Sequence, residues 1–146
     1  MTEGDCLDAF LSRDPQRIWQ ACGWVRNLWD RAALRRLAAE KARIEAATRG
    51  IDLGGTLRPN ALLLTRALRR LDHAMGEGCF CTLLAEDDLA DPRPLATAGH
   101  LTLTRDGIDS ATGDGNLACT CKACGTAYLV TEVMGYHYPW YRWERT

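Results

Sequence analysis

Apolar residues in the first half of the chain recur at three and four positions, the period of a helix with one buried side. Asp14 followed by Pro15 is a helix start, with the carboxylate as the capping group and proline in the first helical position. After it, Ile18, Cys22, Val25, Trp29 and Ala32 make an apolar stripe that Trp19 and Leu28 widen, while Trp24 lies off it. Leu34, Leu37, Ala38 and Ile44 carry the stripe to about Thr48, so the pattern predicts one long helix or two shorter ones, stopped by Arg49 and Gly50. The stretch "IDLGGTL" reads as a loop. From Pro59, "PNALLLTRALRRLDHAM" is helical again, with Leu63, Ala67, Leu71 and Met75 on one side, and Gly76 and Gly78 end it.

After these glycines the period changes. "CFCTLLA" alternates or is evenly apolar, "EDDLADPRP" is an acidic loop broken by proline, and "HLTLTRDG" has the period of two that marks a half-buried strand. "DSATGDGN" is a turn, "TAYLVTEVM" is rich in β-branched and aromatic residues, and "GYHYPWYRW" continues it with an interrupting proline. The expected fold is α+β: N-terminal helices packed on a small C-terminal antiparallel sheet. The expected organisation is a single domain, residues 1–146, with a mainly helical part at 1–77 and a β part at 78–146. No internal repeat or low-complexity segment interrupts it.

Composition narrows the class. A chain of 146 residues with 47% hydrophobic residues, 13 Gly and 5 Pro can fill a core. No stretch reaches the roughly 20 apolar residues of a membrane span, and the acidic start "MTEGDCLDAFLS" does not read as a signal peptide. A cytoplasmic location is therefore expected, where clustered cysteines more often hold metal than form disulfides. The net charge of −1 conceals segregation: Arg13 to Arg70 holds thirteen Arg and Lys against five Asp and Glu, whereas Leu71 onward holds five against eleven. Such segregation suits nucleic acid, a charged protein partner, or attraction between the two halves.

The cysteines carry the chemistry. Five of seven fall into two clusters, "GCFC" at 78–81 and "CTCKACG" at 119–125. Cys121-Lys-Ala-Cys124-Gly has the spacing of a metal knuckle: two intervening residues let the chain wrap an ion, and the glycine permits the tight turn. Cys79-Phe-Cys81 is a less usual pair, but in a strand residues two apart share a face, so both sulfurs reach one ion. Cys119 and Cys121 share a strand face in the same way. Cys22 lies on the apolar stripe and reads as core, and Cys6 stands alone.

Over roughly Gly78 to Trp143, these two motifs make the chain resemble a zinc ribbon, in which cysteine pairs at neighbouring turns of an antiparallel sheet share one zinc. The resemblance implies one structural Zn2+ held by Cys79, Cys81, Cys121 and Cys124, with Cys119 as the substitute for Cys79 or Cys121. The one-residue gap of the first pair departs from the family pattern.

Other chemistry is weakly represented. A redox Cys-x-x-Cys normally precedes a helix, whereas "GTAYLVTEV" reads as a strand. His73, His100 and His137 have no ligand spacing among themselves, and His100 is the best substitute if only three thiolates bind. Glu86, Asp87 and Asp88 read as a solvated loop. GxGxxG, GxxxxGK[ST], HExxH and GxSxG are all lacking, and a surplus of thiolates closes a zinc shell against catalysis. The expectation is a non-catalytic protein without a small-molecule substrate. Its function is then binding of a macromolecule, with a protein preferred because the chain as a whole is slightly acidic. In an extended "GYHYPWYRW", Tyr136, Tyr138, Trp140 and Arg142 share one side and are the residue types that dominate interfaces. One version is a small bacterial inhibitory or immunity protein that blocks its partner. The alternative is a zinc-ribbon nucleic-acid binder using Arg35, Arg36, Arg66, Arg69 and Arg70 on the basic helices.

Overall fold

Each of the first three helices is set by the residue in front of it. In the computed structural model, which describes residues 1–146, Thr2 starts α1 (Glu3–Leu11). Its hydroxyl accepts from the Asp5 amide while the Asp5 carboxylate accepts from the Thr2 amide. Only Cys6, Ala9 and Phe10 mark the buried side of this helix, which is why apolar spacing does not reveal it. Asp14 caps α2 (Pro15–Asn27) through the Arg17 amide at 2.8 Å, with Pro15 in the first turn.

The expected stripe from Asp14 to Thr48 proves to be three helices. Leu28 is extended, and the Asp30 carboxylate accepts from the Ala33 amide at 3.1 Å, so α3 (Arg31–Ala39) begins afresh; a second break at Glu40 starts α4 (Lys41–Thr48). Each break resets the helical phase. Ala33 rather than Ala32 is therefore buried, Trp24, Leu28 and Trp29 are half-buried, and Trp19 is 45% exposed. Gly50 follows α4 with φ of 72°, a left-handed position that suits glycine. The loop then leads to α5 (Ala61–Met75), which buries Ala67, Arg70, Leu71 and Ala74 but exposes Met75.

These five helices form one compact unit, Met1–Gly78. α5 packs on α2 and α3, and α1 on α2 and α4, around Phe10, Ile18, Val25, Leu34, Leu37, Ile44 and Leu71. The carbonyls at the end of α5 are held by arginine: Arg35 Nε donates to Ala74 O at 2.9 Å, and Arg31 donates to the carbonyls of Gly76 and Gly78. Arg70, only 4% exposed, donates Nε and Nη2 to Leu28 O at 2.9 and 2.7 Å, with its guanidinium 5.4 Å from the centre of the Trp29 ring.

Cys79–Thr146 is the second unit. Here a 3-10 helix (Phe80–Glu86) and α6 (Pro92–Thr97) precede a four-stranded antiparallel meander in chain order: β1 (Leu101–Ile108), β2 (Gly115–Cys121), β3 (Ala127–Met134) and β4 (Pro139–Arg145). β1 carries an irregularity between Leu103 and Arg105. One face of the sheet is buried through Leu101, Leu117, Cys119, Tyr128, Val130, Tyr141 and Trp143, with Phe80, Leu84, Ala90 and Pro92 beside them in the core. Trp143 Nε1 donates to Ala90 O at 2.9 Å, the Tyr141 amide donates to Asp88 O at 2.7 Å, and the Tyr128 and Trp143 rings meet edge to face.

Two expectations for this region are corrected. "CFCTLLA" is not a strand: the Thr82 amide and hydroxyl both donate to Cys79 O, at 3.2 and 2.8 Å, and that local bonding favours a tight helical turn. "GYHYPWYRW" does not continue the preceding strand. Gly135 to Tyr138 turn the chain, and Pro139 begins β4, an edge strand where a missing amide is tolerated.

Candidate metal centre

The second unit brings the sulfurs of Cys79, Cys81, Cys121 and Cys124 within 4.8 Å of one another. Cys79 stands immediately before the 3-10 helix in an extended conformation, and Cys81 sits inside it, so a turn rather than a strand pleat aims both thiols. Cys121 is the last residue of β2 and Cys124 lies in the turn to β3. That turn is a closed knuckle: the Gly125 amide donates to Cys121 O at 2.8 Å, the Cys121 amide donates to Thr126 O at 2.9 Å, and Gly125 has φ of 74°. The glycine of the motif is therefore required by the backbone.

Sulfur separations are 3.4 Å for Cys81 and Cys124 and 3.6 Å for Cys79 and Cys121. Four thiolates around a tetrahedral ion, with metal–sulfur bonds of about 2.3 Å, lie about 3.8 Å apart, so the quartet fits such a centre after a small adjustment. Cys81 and Cys121 are buried, Cys79 is half-buried and Cys124 is exposed. Burial pushes the Cys79 and Cys81 thiols up, while hydrogen bonds from the Thr126 hydroxyl and amide bring Cys124 down to about 6. A cation that displaces the remaining protons is the natural neutraliser of such a group. The donor set is soft and all-sulfur, and four ligands complete a tetrahedral shell.

Two residues that sequence spacing does not single out support the cluster. Tyr128 Oη donates to Cys81 Sγ at 3.3 Å, and the Thr126 hydroxyl is 3.1 Å from Cys124 Sγ. Both lie in "TAYLV", whose composition signals only a strand. Cys119 is not a member of the cluster: it is buried on the inner face of β2 opposite Tyr128, and burial raises its thiol to about 11. Cys6 and Cys22 are core thiols raised by burial to about 12. None of His73, His100 and His137 belongs to the cluster; His73 Nε2 lies 3.0 Å from Gly78 O.

The aromatic segment is divided by its turn. Tyr136 is 96% exposed in the turn, Tyr138 is half-buried, and Trp140 and Arg142 point outward from β4 beside Val133 and Thr131 of β3. Tyr141 and Trp143 face the core. The five arginines of the basic helices are already engaged. Arg35 binds Ala74 O and Glu77, Arg36 forks onto Glu3 at 2.5 and 2.6 Å, Arg70 is buried on Leu28 O, and neither Arg66 nor Arg69 is without a partner.

A second charged cluster joins α6 to the sheet. Arg93 donates to both Asp106 oxygens at 2.9 and 3.0 Å and to Glu132 at 2.8 Å, while Tyr141 Oη donates to the other Glu132 oxygen at 3.1 Å. Arg93 holds both carboxyls below their ordinary values, and the two carboxylates hold its guanidinium protonated.

No protein-family model, curated protein or solved structure matches the chain. Four cysteines from two segments together can hold a metal ion.

Proposed function

We propose that the chain is a non-catalytic binding protein whose second unit is stapled by one structural zinc ion in a ribbon-like site, and which acts on a protein partner. The observation that carries this reading is the four-sulfur cluster, whose members all lie within 4.8 Å. A full set of protein thiolates leaves no position for a water or a substrate, which supports a structural rather than a catalytic ion. The ion would join the 3-10 helix to the β2–β3 turn, two segments about forty residues apart in sequence, and so remove chain entropy from the unfolded state.

The partner surface is the tip and outer side of the β3–β4 hairpin. Tyr136 is almost fully exposed, and Met134, Trp140 and Leu129 add exposed apolar area on the same two strands. Aromatic side chains bury large area with few rotors to freeze, the chemistry of an interface anchor. An inhibitory or immunity role, in which this hairpin blocks a partner's working surface, is the concrete form of the proposal. Tyr136→Ala combined with Trp140→Ala is expected to keep the zinc and the fold but to release the stoichiometric partner that co-purifies with the unaltered chain from its native host. Retention of that partner by the double variant overturns the hairpin assignment.

A further inference from the structure

We infer that the metal centre is also an oxidant-sensitive clamp, in which a peroxide attacks at Cys124 and exchanges the ion for a Cys81–Cys124 disulfide. This rests on the zinc reading above. Among the four cluster cysteines Cys124 alone is exposed; Cys81 and Cys121 are buried and Cys79 is half-buried. An oxidant arriving from solvent therefore meets Cys124 first. Its sulfur stands 3.4 Å from that of Cys81, and closure to a disulfide bond needs a movement of about 1.4 Å. Gly125 follows Cys124 directly in a left-handed conformation, with open space beside its Cα. Cys79 and Cys121 form the other close pair at 3.6 Å.

The exchange balances. The Cys124 thiolate attacks one peroxide oxygen; the O–O bond breaks, hydroxide leaves, and a sulfenic acid forms on Cys124. The Cys81 thiolate attacks that sulfur; the S–S bond forms, the S–O bond breaks, and a second hydroxide leaves. The two sulfurs lose two electrons and the peroxide gains them. Having lost two of its four ligands, Zn2+ departs, Cys79 and Cys121 take up one proton each, and two more protons convert the hydroxides to water.

The choice of pair decides the consequence. A local Cys121–Cys124 bond would leave the 3-10 helix untied from the knuckle. A Cys81–Cys124 bond keeps the same two segments joined, so the clamp survives in covalent form after the metal has gone.

The test uses the full-length chain with its zinc content measured first. Hydrogen peroxide is added, released zinc is read with a chromogenic chelator, unreacted thiols are alkylated, and the chain is digested with trypsin without reduction. Lys122 separates Cys121 from Cys124. The expected product joins the peptide Leu71–Arg105 to the peptide Ala123–Arg142, with Cys79 and Cys121 alkylated. One zinc should be released per bond formed, and a dithiol reductant with added zinc should restore the original state. A zinc-loaded chain that keeps its metal under peroxide, or that joins Asp106–Lys122 to Ala123–Arg142 instead, overturns this inference alone. A chain that holds no zinc overturns both this inference and the zinc reading.

Discussion

Cys22 and Cys121 are both buried cysteines, and their surroundings give them opposite roles. Cys22 packs among apolar helix residues, where burial holds it as a protonated thiol far above its ordinary value. Cys121 has three other sulfurs around it. Cys22→Ser is therefore expected to destabilise the chain by about 1–3 kcal/mol, the cost of a poorly paired buried hydroxyl, and to leave the zinc content unchanged. Cys121→Ser removes a ligand and is expected to abolish stoichiometric zinc; denaturant titration beside metal analysis separates the two cases. Arg70 is tested in the same way. It is a buried cation satisfied by Leu28 O and the Trp29 face, and Arg70→Met should cost about 1–3 kcal/mol because the carbonyl is left without its donor. Arg70→Lys should rescue only part, since an ammonium cannot reproduce the two-pronged contact. Full stability in Arg70→Met would contradict that assignment.

At the scale of elements, the Arg93 network ties α6 to β1 and β3 and gives the second unit an acid limit. Asp106 and Glu132 are held below their ordinary values of 3.8 and 4.5, so their contribution is complete above those values and is lost as pH falls through the depressed ones. Glu132→Gln should flatten that acid loss and lower stability at neutral pH, since the Glu132 side chain is only 18% exposed and accepts from both Arg93 and Tyr141; thermal melts across the acid range provide the check. Strands β1 and β3, the turn between β1 and β2, and both ends of α5 were legible from period and punctuation. The 3-10 helix was not, because "CFCTLLA" satisfies strand and helix patterns equally and a side-chain bond from Thr82 decides between them. The breaks at Leu28 and Glu40 were hidden for a similar reason: the apolar stripe continues across them in sequence while the helical phase restarts at the Asp30 cap.

Over the whole molecule, the uneven charge has a local explanation in part. Arg36 pairs with Glu3, Lys41 with Asp72 and Arg35 with Glu77, so much of the basic stretch is neutralised inside the helical unit. Sequence counts reveal the excess but not the pairing, which depends on partners thirty and more residues away. The cysteine quartet was legible because short spacing already brings each pair close; the Tyr128 and Thr126 contacts needed the folded strand. Each unit has its own core, and the helical core holds no cluster cysteine. Chelation is accordingly expected to abolish near-ultraviolet signals of Tyr128 and Trp143 while the helical far-ultraviolet signal is largely retained; equal loss of both would contradict a zinc confined to the second unit. Zinc-edge X-ray absorption on protein purified without added metal tests the four-sulfur centre directly. About one zinc per chain with four sulfur neighbours at about 2.3 Å is expected. A chain that carries no zinc, or a shell that contains nitrogen or oxygen in place of sulfur, would contradict it.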